Sequence, residues 1–219
     1  MIKKDQYIEQ VRRRLCGGEP VGDLASRYHP LIVEKEIDSA YESLLQSVFG
    51  QNIKGGNFAI LDPYTKPFTV EIQYDSGREE YYSLLPKPVI VLNSPLNGGN
   101  FGIRIISPIK DQTVQFVPID NNADVVYGVL EVGIISGIPT YYVEGNSVRY
   151  NFRAKNYVEG DKVLMKIIPT FSSLGRDEYV TMPEYMTKSG MLSVSDLVYQ
   201  RLVGMPPEKM TNNNDPKQV

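Results

Sequence analysis

The order in which the hydrophobic period changes along this chain most constrains its fold. Apolar residues recur with helical spacing as far as Val48, alternate with a period near two through the middle, and return to helical spacing from Val194. This order predicts an α+β fold in which N- and C-terminal helices form a small helical bundle and the middle segment forms an inserted antiparallel β-sandwich or barrel. The predicted domains are a helical domain at 1–56 and 186–205, a β-rich domain at 57–185, and a polar C-terminal tail at 206–219.

The first helix pattern is short. Ile8, Val11 and Leu15 lie on one face of a helix over residues 5–16. Gly17-Gly18 follows this pattern directly and is expected to end the helix.

The second helix pattern is the longest in the chain. Pro30 suits the first position of a helix, because its missing N–H is not needed there. Gly50 is placed to end the helix in a left-handed conformation. The apolar stripe between them keeps helical spacing and consists of Val33, Ile37, Ala40, Tyr41, Leu44 and Val48.

A third helix pattern opens near Ser193 and Ser195, either of which can serve as its N-cap, and ends at Gly204. The two N-terminal helices cannot cover both apolar stripes alone, so they need a third element or a neighbouring chain. The residues predicted to contact another subunit are Val33, Ile37, Tyr41, Leu44, Val48, Leu197 and Leu202.

The middle of the chain carries strand patterns separated by turn residues. Residues 68–74 and 80–84 predict one hairpin, and residues 141–150 predict a second hairpin that reverses at Gly145-Asn146. The remaining predicted strands are 89–92, 102–106, 113–117, 125–132, 140–143, 148–152 and 163–168.

Residue types that carry enzyme chemistry are scarce. His29 is the single histidine, Cys16 is the single cysteine, and tryptophan is absent. A lone cysteine excludes an internal disulfide and a cysteine-based zinc site, and the sequence has neither a nucleophile elbow nor a phosphate-binding loop. We therefore predict a protein that is not an enzyme and needs no cofactor, in which His29 caps or packs at the start of the second helix.

Acidic residues are the remaining candidates for chemistry. Glu144, Glu159 and Asp161 could supply the two carboxylates of a glycan-cleaving enzyme, although residues in turns are ordinarily solvated. A calcium site could draw on Asp111, Asp120 and Asp124, but these residues lack a recognisable ligand loop.

The chain has 15 tyrosines, and aromatic faces can stack on sugar rings. Tyr81-Tyr82 and Tyr141-Tyr142 fall within predicted strands, where neighbouring side chains point to opposite faces. One tyrosine of each pair is then expected in the core and the other at the surface.

Charge and hydropathy limit the partners and the location. The net charge is −3 and the one basic cluster is Arg12-Arg13-Arg14, so a groove that grips nucleic acid is not expected. No apolar run reaches the roughly 18 residues of a membrane span, and the N-terminus does not resemble a secretory signal. Synthesis in a cytoplasm is the expectation.

The chain resembles the head-tail connector (neck ring) proteins of short-tailed bacteriophages, of the tail tubular protein A type, and most closely those of crAss-like phages that infect Bacteroidetes. The residues that carry the resemblance are Arg12-Arg13-Arg14-Leu15-Cys16-Gly17-Gly18, Arg27-Tyr28-His29-Pro30, Ala40-Tyr41 and Leu44-Leu45. The later β-rich segment and the returning helix match in order.

This resemblance implies a virion structural protein of the neck or tail. It implies a homo-oligomeric ring of twelve copies that joins the portal protein to other neck and tail proteins and lines the channel through which DNA leaves. DNA would pass through without specific binding. Two alternatives stay open, namely a carbohydrate-binding or virion-decorating adhesive module and a glycan-cleaving enzyme that uses two acids.

Overall fold

The computed structural model describes residues 1–17, 28–53, 58–92, 102–119, 139–151, 157–187 and 190–203. Several sequence-based predictions lie outside these residues. They are the strand at 125–132, Phe152 at the end of another strand, Asp120 and Asp124, and the tail at 206–219.

The chain has a mixed α+β fold. The helices are α1 (Lys4–Leu15), α2 (Pro30–Ile53), a 3-10 helix (Phe58–Tyr64) and α3 (Val194–Val203). The strands are β1 (Ile2–Lys3), β2 (Lys66–Glu71), β3 (Gln73–Asp75), β4 (Glu80–Leu84), β5 (Ile103–Pro108), β6 (Val117–Pro118), β7 (Thr140–Glu144), β8 (Ser147–Asn151), β9 (Lys162–Ile167), β10 (Tyr179–Val180), β11 (Glu184–Thr187) and β12 (Gly190–Ser193).

The chain divides into two compact units. The first, which we call the helical unit, combines Met1–Gly50 with Leu174–Val219, and the second, the β unit, is Gln51–Ser173. The helical unit therefore includes residues 174–185, which the sequence analysis assigned to the β-rich domain.

The ends of α1 and the start of α2 follow the sequence signals. Gly17 has a φ of 76°, a left-handed conformation that glycine adopts without a steric penalty, and it follows Cys16, the C-cap of α1. At the start of α2 the backbone N–H groups of Ile32 and Val33 donate to the carbonyl oxygen of His29. Both predicted helices are confirmed, and each boundary named here falls within one residue of its expected position.

Gly50 does not end α2 as expected. The helix continues to Ile53, and Gly50 is not among the residues with positive φ. A glycine can act as a left-handed C-cap only where the following residues leave the helix, and here Gln51-Asn52-Ile53 remain helical. The prediction of a stop at Gly50 is therefore wrong.

Polar contacts connect the three helices of the helical unit. The Lys4 ammonium lies 2.6 Å from a Glu34 carboxylate oxygen, and the Lys4 side chain is 3% exposed. Arg14 donates to Asp196 at 2.6 Å, and Arg201 donates to the Ser39 hydroxyl at 2.9 Å. These contacts tie α1 to α2, α1 to α3 and α3 to α2.

The N-terminus of α3 carries a reciprocal cap. The backbone N–H of Asp196 donates to the Ser193 hydroxyl at 3.3 Å, and the backbone N–H of Ser193 donates to the Asp196 carboxylate at 2.9 Å. This exchange satisfies two backbone donors that the helix itself leaves unpaired. Of the two serines considered from the sequence, Ser193 is the cap.

The β unit contains a five-stranded sheet of order β3-β4-β8-β7-β6 and a three-stranded sheet of order β2-β9-β5. Within the described part of the chain, none of the sheets closes into a barrel. Both sheets contribute to one hydrophobic cluster. Its buried members are Ile72, Leu85, Ile103, Ile106, Phe116, Tyr141, Val148, Tyr150, Val163, Met165 and Ile167.

The two predicted hairpins form, with one change. β7 and β8 pair around Gly145, which has a φ of 58° and so permits the tight reversal. The predicted strand at 68–74 is instead two strands, because β2 pairs with β9 whereas β3 pairs with β4. Ile72 lies between them and is fully buried.

Other strand predictions need correction. In the stretch 113–117 only Val117 is in a strand, and in 89–92 only Val89 forms a bridge, to Pro169. Four strands were not predicted, namely β1, β10, β11 and β12, and they form two small two-stranded sheets in the helical unit. None of the described helices has the length and hydropathy needed to cross a bilayer.

Candidate functional site

The α2 stripe was predicted to contact another subunit, but it is covered within the single chain. Val33 and Ile37 have no exposed surface, and Tyr41, Leu44 and Val48 are at most 5% exposed. Side chains this deeply buried cannot contact a second copy unless the fold opens. The interface prediction for these five residues is therefore wrong. The sequence left two ways to cover the stripe, a third element or a neighbouring chain. The third element is present as α3, which contacts both α1 and α2.

The two interface candidates on α3 are less buried. Leu197 and Leu202 are both intermediate in exposure, whereas their neighbours Val194 and Val198 are fully buried. The inward face of α3 is therefore formed by Val194 and Val198. Leu197 and Leu202 lie at the margin of that face, where a subunit contact stays a prediction.

Large apolar side chains are exposed elsewhere on the helical unit. Leu31 and Ile32, in the first turn of α2, are 64% and 51% exposed. Met186 on β11 and Met191 on β12 are 63% and 58% exposed, and they are cross-strand partners. Contiguous exposed apolar groups are typical of contact sites. These four residues were not predicted as contact sites, because Leu31 and Ile32 lie outside the periodic stripe of α2, and Met186 and Met191 lie on strands that were not predicted.

The basic cluster of α1 is engaged in ion pairs within the chain. Arg12 and Arg13 each pair with Glu9 at 3.2 Å, and Arg14 pairs with Asp196 at 2.6 Å. The Arg14 guanidinium also lies 5.6 Å from the centre of the Tyr199 ring. These contacts neutralise much of the positive charge that a phosphate backbone would otherwise meet.

A charged cluster lies on the face of the five-stranded sheet opposite the hydrophobic core. Arg149 is its centre, donating from Nε to Glu144 at 2.7 Å and from Nη1 to Glu80 at 3.1 Å and Asp75 at 3.4 Å. The guanidinium lies 5.8 Å from the centre of the Tyr82 ring. Three carboxylates around one arginine that is 9% exposed form a mutually satisfied network.

The pKa values in this cluster follow from its charges. The hydrogen bond from Arg149 is the main cause that lowers the pKa of Glu144, and Arg78 adds to the effect. Burial opposes ionisation of Asp75, but bonds from the Gly77 N–H and from Arg149 outweigh it and lower that pKa. Both carboxylates therefore stay ionised near neutral pH.

The acids nominated for glycan cleavage do not suit a general acid. A general acid needs a raised pKa, whereas the pKa of Glu144 is lowered, as described above. A bond from the Val158 N–H, helped by Lys110, lowers the pKa of Asp161 as well. Glu159 is exposed in its turn. The arrangement therefore gives no support to the two-acid enzyme.

The tyrosine pairs alternate as predicted. Tyr141 packs in the hydrophobic cluster, and Tyr81 packs against it. Tyr82 and Tyr142 flank Arg149 on the opposite face, where the Tyr142 hydroxyl lies 3.1 Å from a Glu80 carboxylate oxygen. Burial is the main cause that raises the pKa of Tyr142 to about 12, and Glu80 adds to it. These four residues form no exposed aromatic platform.

The remaining candidates have local roles. The His29 ring accepts a hydrogen bond from the Leu31 N–H at 3.3 Å, which confirms its position at the start of α2. Cys16 is half-buried and, as the single cysteine, forms no internal disulfide. The Asp111 carboxylate accepts bonds from Thr113, which lower its pKa. Among the described residues no group of three or more histidine, cysteine or acidic side chains could hold a metal ion.

The charged cluster was not predicted, although the hairpin that brings part of it together can be recognised in the sequence. Glu144 and Arg149 flank the Gly145-Asn146 turn, so hairpin pairing brings them onto one face. The positions of Glu80 and Asp75 depend on how the first hairpin pairs with the second, which the sequence does not state.

No protein-family model and no curated protein matches the chain. A functional proposal must therefore depend on the residues and geometry of the molecule itself, together with the resemblance drawn from its N-terminal motifs.

Proposed function

We propose that this chain is a virion structural protein, a ring-forming head-tail connector that joins portal to tail and lines the DNA exit channel of a short-tailed bacteriophage. The observation that carries the proposal is the set of apolar side chains exposed on the helical unit. Leu31, Ile32, Met186 and Met191 each expose more than half of their surface. Burying them between copies would be favourable by the same physics that folds the core.

The organisation of the chain also supports this proposal. Residues from both ends of the sequence form one unit, and the middle segment forms the other, as the resemblance to connector proteins implies. In the same proposal, α1, α2 and α3 form a small helical bundle. The two larger sheets form a sandwich around their shared hydrophobic cluster.

Electrostatics support a channel through which DNA passes without specific binding. The arginines of α1 are paired with Glu9 and Asp196, and the net charge of the chain is −3. A wall rich in unpaired arginine would hold phosphates and slow the DNA. The proposed partners are therefore further copies, the portal protein and other neck and tail proteins.

Electron microscopy of the purified full chain, alone and mixed with its portal ring, tests this function. We expect closed rings with a central channel, and we expect the protein to sediment with virions. A chain that is monomeric in both preparations and absent from virions would exclude the connector.

One observation favours the alternative of a carbohydrate-binding or virion-decorating module. Tyr74, on the edge strand β3, is 41% exposed and its ring lies 5.0 Å from that of Tyr81. An exposed aromatic face can stack on a sugar. Binding of the full chain to a glycan array, lost on Tyr74→Ala, would favour this module, and we expect no binding.

A further inference from the structure

Two surfaces of the helical unit have a similar composition but carry charges of opposite sign. We call the first the ribbon surface, formed by Glu184, Met186 and Met191 on the β11–β12 pair. The second is the helix surface, formed by Leu31, Ile32 and Lys35 at the start of α2. Each combines two exposed apolar side chains with one exposed charge.

The ribbon surface is contiguous because of strand geometry. Glu184 and Met186 are two residues apart on β11, so their side chains leave the strand on the same side. Met186 is directly opposite Met191 on β12, which places the two thioether side chains next to each other. The two methionines are flexible and polarizable, and such side chains are common at adaptable contact surfaces.

The helix surface is contiguous because of helix geometry. Lys35 follows Leu31 by four positions and Ile32 by three, so all three side chains are neighbours on the outside of α2. They lie on the side of the helix away from Val33 and Ile37, which are fully buried.

The two charges are available for a contact. Within the residues that the structure describes, neither the Glu184 carboxylate nor the Lys35 ammonium forms a hydrogen bond or an ion pair. The neighbouring Glu34, in contrast, pairs with Lys4. Each surface thus offers apolar area beside one unpaired charge, and the charges have opposite signs.

We propose that the ribbon surface of one copy binds the helix surface of the next copy. Met186 and Met191 pack against Leu31 and Ile32, and Glu184 pairs with Lys35. Pairing of either surface with itself would oppose two like charges, which disfavours a symmetric dimer. Joining two different surfaces gives a head-to-tail contact, which produces a closed ring when the rotation between copies closes. This inference rests on the proposed function and names its subunit contact.

A mixing experiment with two variants tests the head-to-tail contact. Met186→Asp blocks only the ribbon surface, and Leu31→Asp blocks only the helix surface. We expect each variant alone to be monomeric by sedimentation velocity and native mass spectrometry. An equimolar mixture should form a one-to-one heterodimer, because one intact surface remains on each partner. Val158→Asp, at a residue 57% exposed in the β unit, is the matched control and should assemble like the wild type.

Charge reversal gives a second measurement. Lys35→Glu and Glu184→Lys should each weaken association by about tenfold, and the double variant should recover most of the loss. Circular dichroism and urea unfolding check that every variant is folded like the wild type.

The outcomes separate this inference from the proposed function. A wild-type chain that stays monomeric would overturn both. Wild-type rings together with unchanged rings from Met186→Asp and Leu31→Asp would overturn only the contact and would indicate another occupant of these surfaces. Two monomeric variants that do not combine when mixed would also contradict the head-to-tail contact.

Discussion

Arg149 is a charged side chain that the β unit holds almost entirely out of water. Its three carboxylate partners are still 32–41% exposed, so their negative charge is partly solvated. The arginine is therefore the member whose removal leaves the cluster most unbalanced. Through these contacts it connects the outer faces of β3, β4, β7 and β8.

Replacing Arg149 with methionine should lower the free energy of unfolding by about 2 kcal/mol, because buried charge-assisted hydrogen bonds are lost and three acids are left together. Urea denaturation measures this change. The matched control is Arg78→Met, which removes a 53% exposed arginine from the same Glu144 and should cost less than about 1 kcal/mol. Equal losses in the two variants would contradict a central role for Arg149.

Asp196 gives the helical unit a defined acid sensitivity. Burial disfavours its charge, but bonds from Ser193 and Arg14 outweigh burial and hold its pKa below the ordinary 3.8. A lowered folded-state pKa contributes stability that is complete above the unfolded pKa and is lost as the pH falls through the folded value.

Asp196→Asn should therefore cost about 1 kcal/mol near neutral pH through the weakened cap and the lost charge. The difference between wild type and variant should shrink as the pH falls below about 4, because the wild-type carboxylate becomes protonated. Urea unfolding at several pH values measures it. A difference that stays constant down to about pH 2 would exclude titration of this carboxylate as the cause.

Helix α2 carries fully buried apolar side chains as well as ones that are more than half exposed. Ile37→Ala should lower the free energy of unfolding by about 2–5 kcal/mol, because it creates a cavity at a fully buried position. Leu31→Ala should change it by less than about 0.5 kcal/mol, since that side chain is 64% exposed. Urea denaturation of the two variants, at a concentration where the chain is monomeric, compares them. Similar losses would contradict the placement of α2.

Gly50 distinguishes the observed end of α2 from the predicted one, and Gly145, in the β7–β8 turn, gives the contrasting case. Gly50→Ala should stabilise the chain by about 1 kcal/mol, because the glycine is inside α2 and an added Cβ would meet no atom within 4 Å apart from its chain neighbours and the backbone of its own helix. Gly145→Ala should destabilise by about 1 kcal/mol, because its φ of 58° is unfavourable for alanine. Thermal unfolding measures both signs. A destabilising Gly50→Ala would restore the left-handed stop expected from the sequence.

The elements that sequence predicted well are those with a long local period or a clear turn. α1, α2 and the β7–β8 hairpin depend on contacts within a few residues, so their patterns appear in the sequence. β1 and β10 have two residues each and pair across most of the chain, as Ile2 opposite Val180 shows. Strands this short have no periodicity that a sequence could show. The separation of β2 from β3 could not be predicted either, because it depends on their pairing with different distant strands, β9 and β4.

The candidate surfaces were harder to predict than the fold. Helical spacing identified Val33 and Ile37 as apolar neighbours but could not state what covers them. Leu31, Ile32, Met186 and Met191 do not belong to that helical stripe, so its spacing could not identify them. Which side chains of the helical unit are exposed depends on how the N- and C-terminal segments pack together. Such packing joins residues far apart in sequence, as the contact between Arg14 and Asp196, 182 positions apart, illustrates.

At the scale of the whole molecule, the proposed ring depends on the helical unit for its subunit contacts. The helical unit carries the ribbon and helix surfaces, and its core does not depend on a neighbour because the stripe of α2 is already buried. Subunits should therefore fold before they assemble. Assembly should then depend on protein concentration while the secondary structure stays unchanged.

The most direct measurement of the central claim is the subunit count of the purified 219-residue chain by native mass spectrometry across a range of concentrations. The account predicts a discrete closed assembly, expected at twelve copies, in equilibrium with folded 24.7 kDa monomers. A single monomeric species at every concentration, with and without the portal ring, would contradict it.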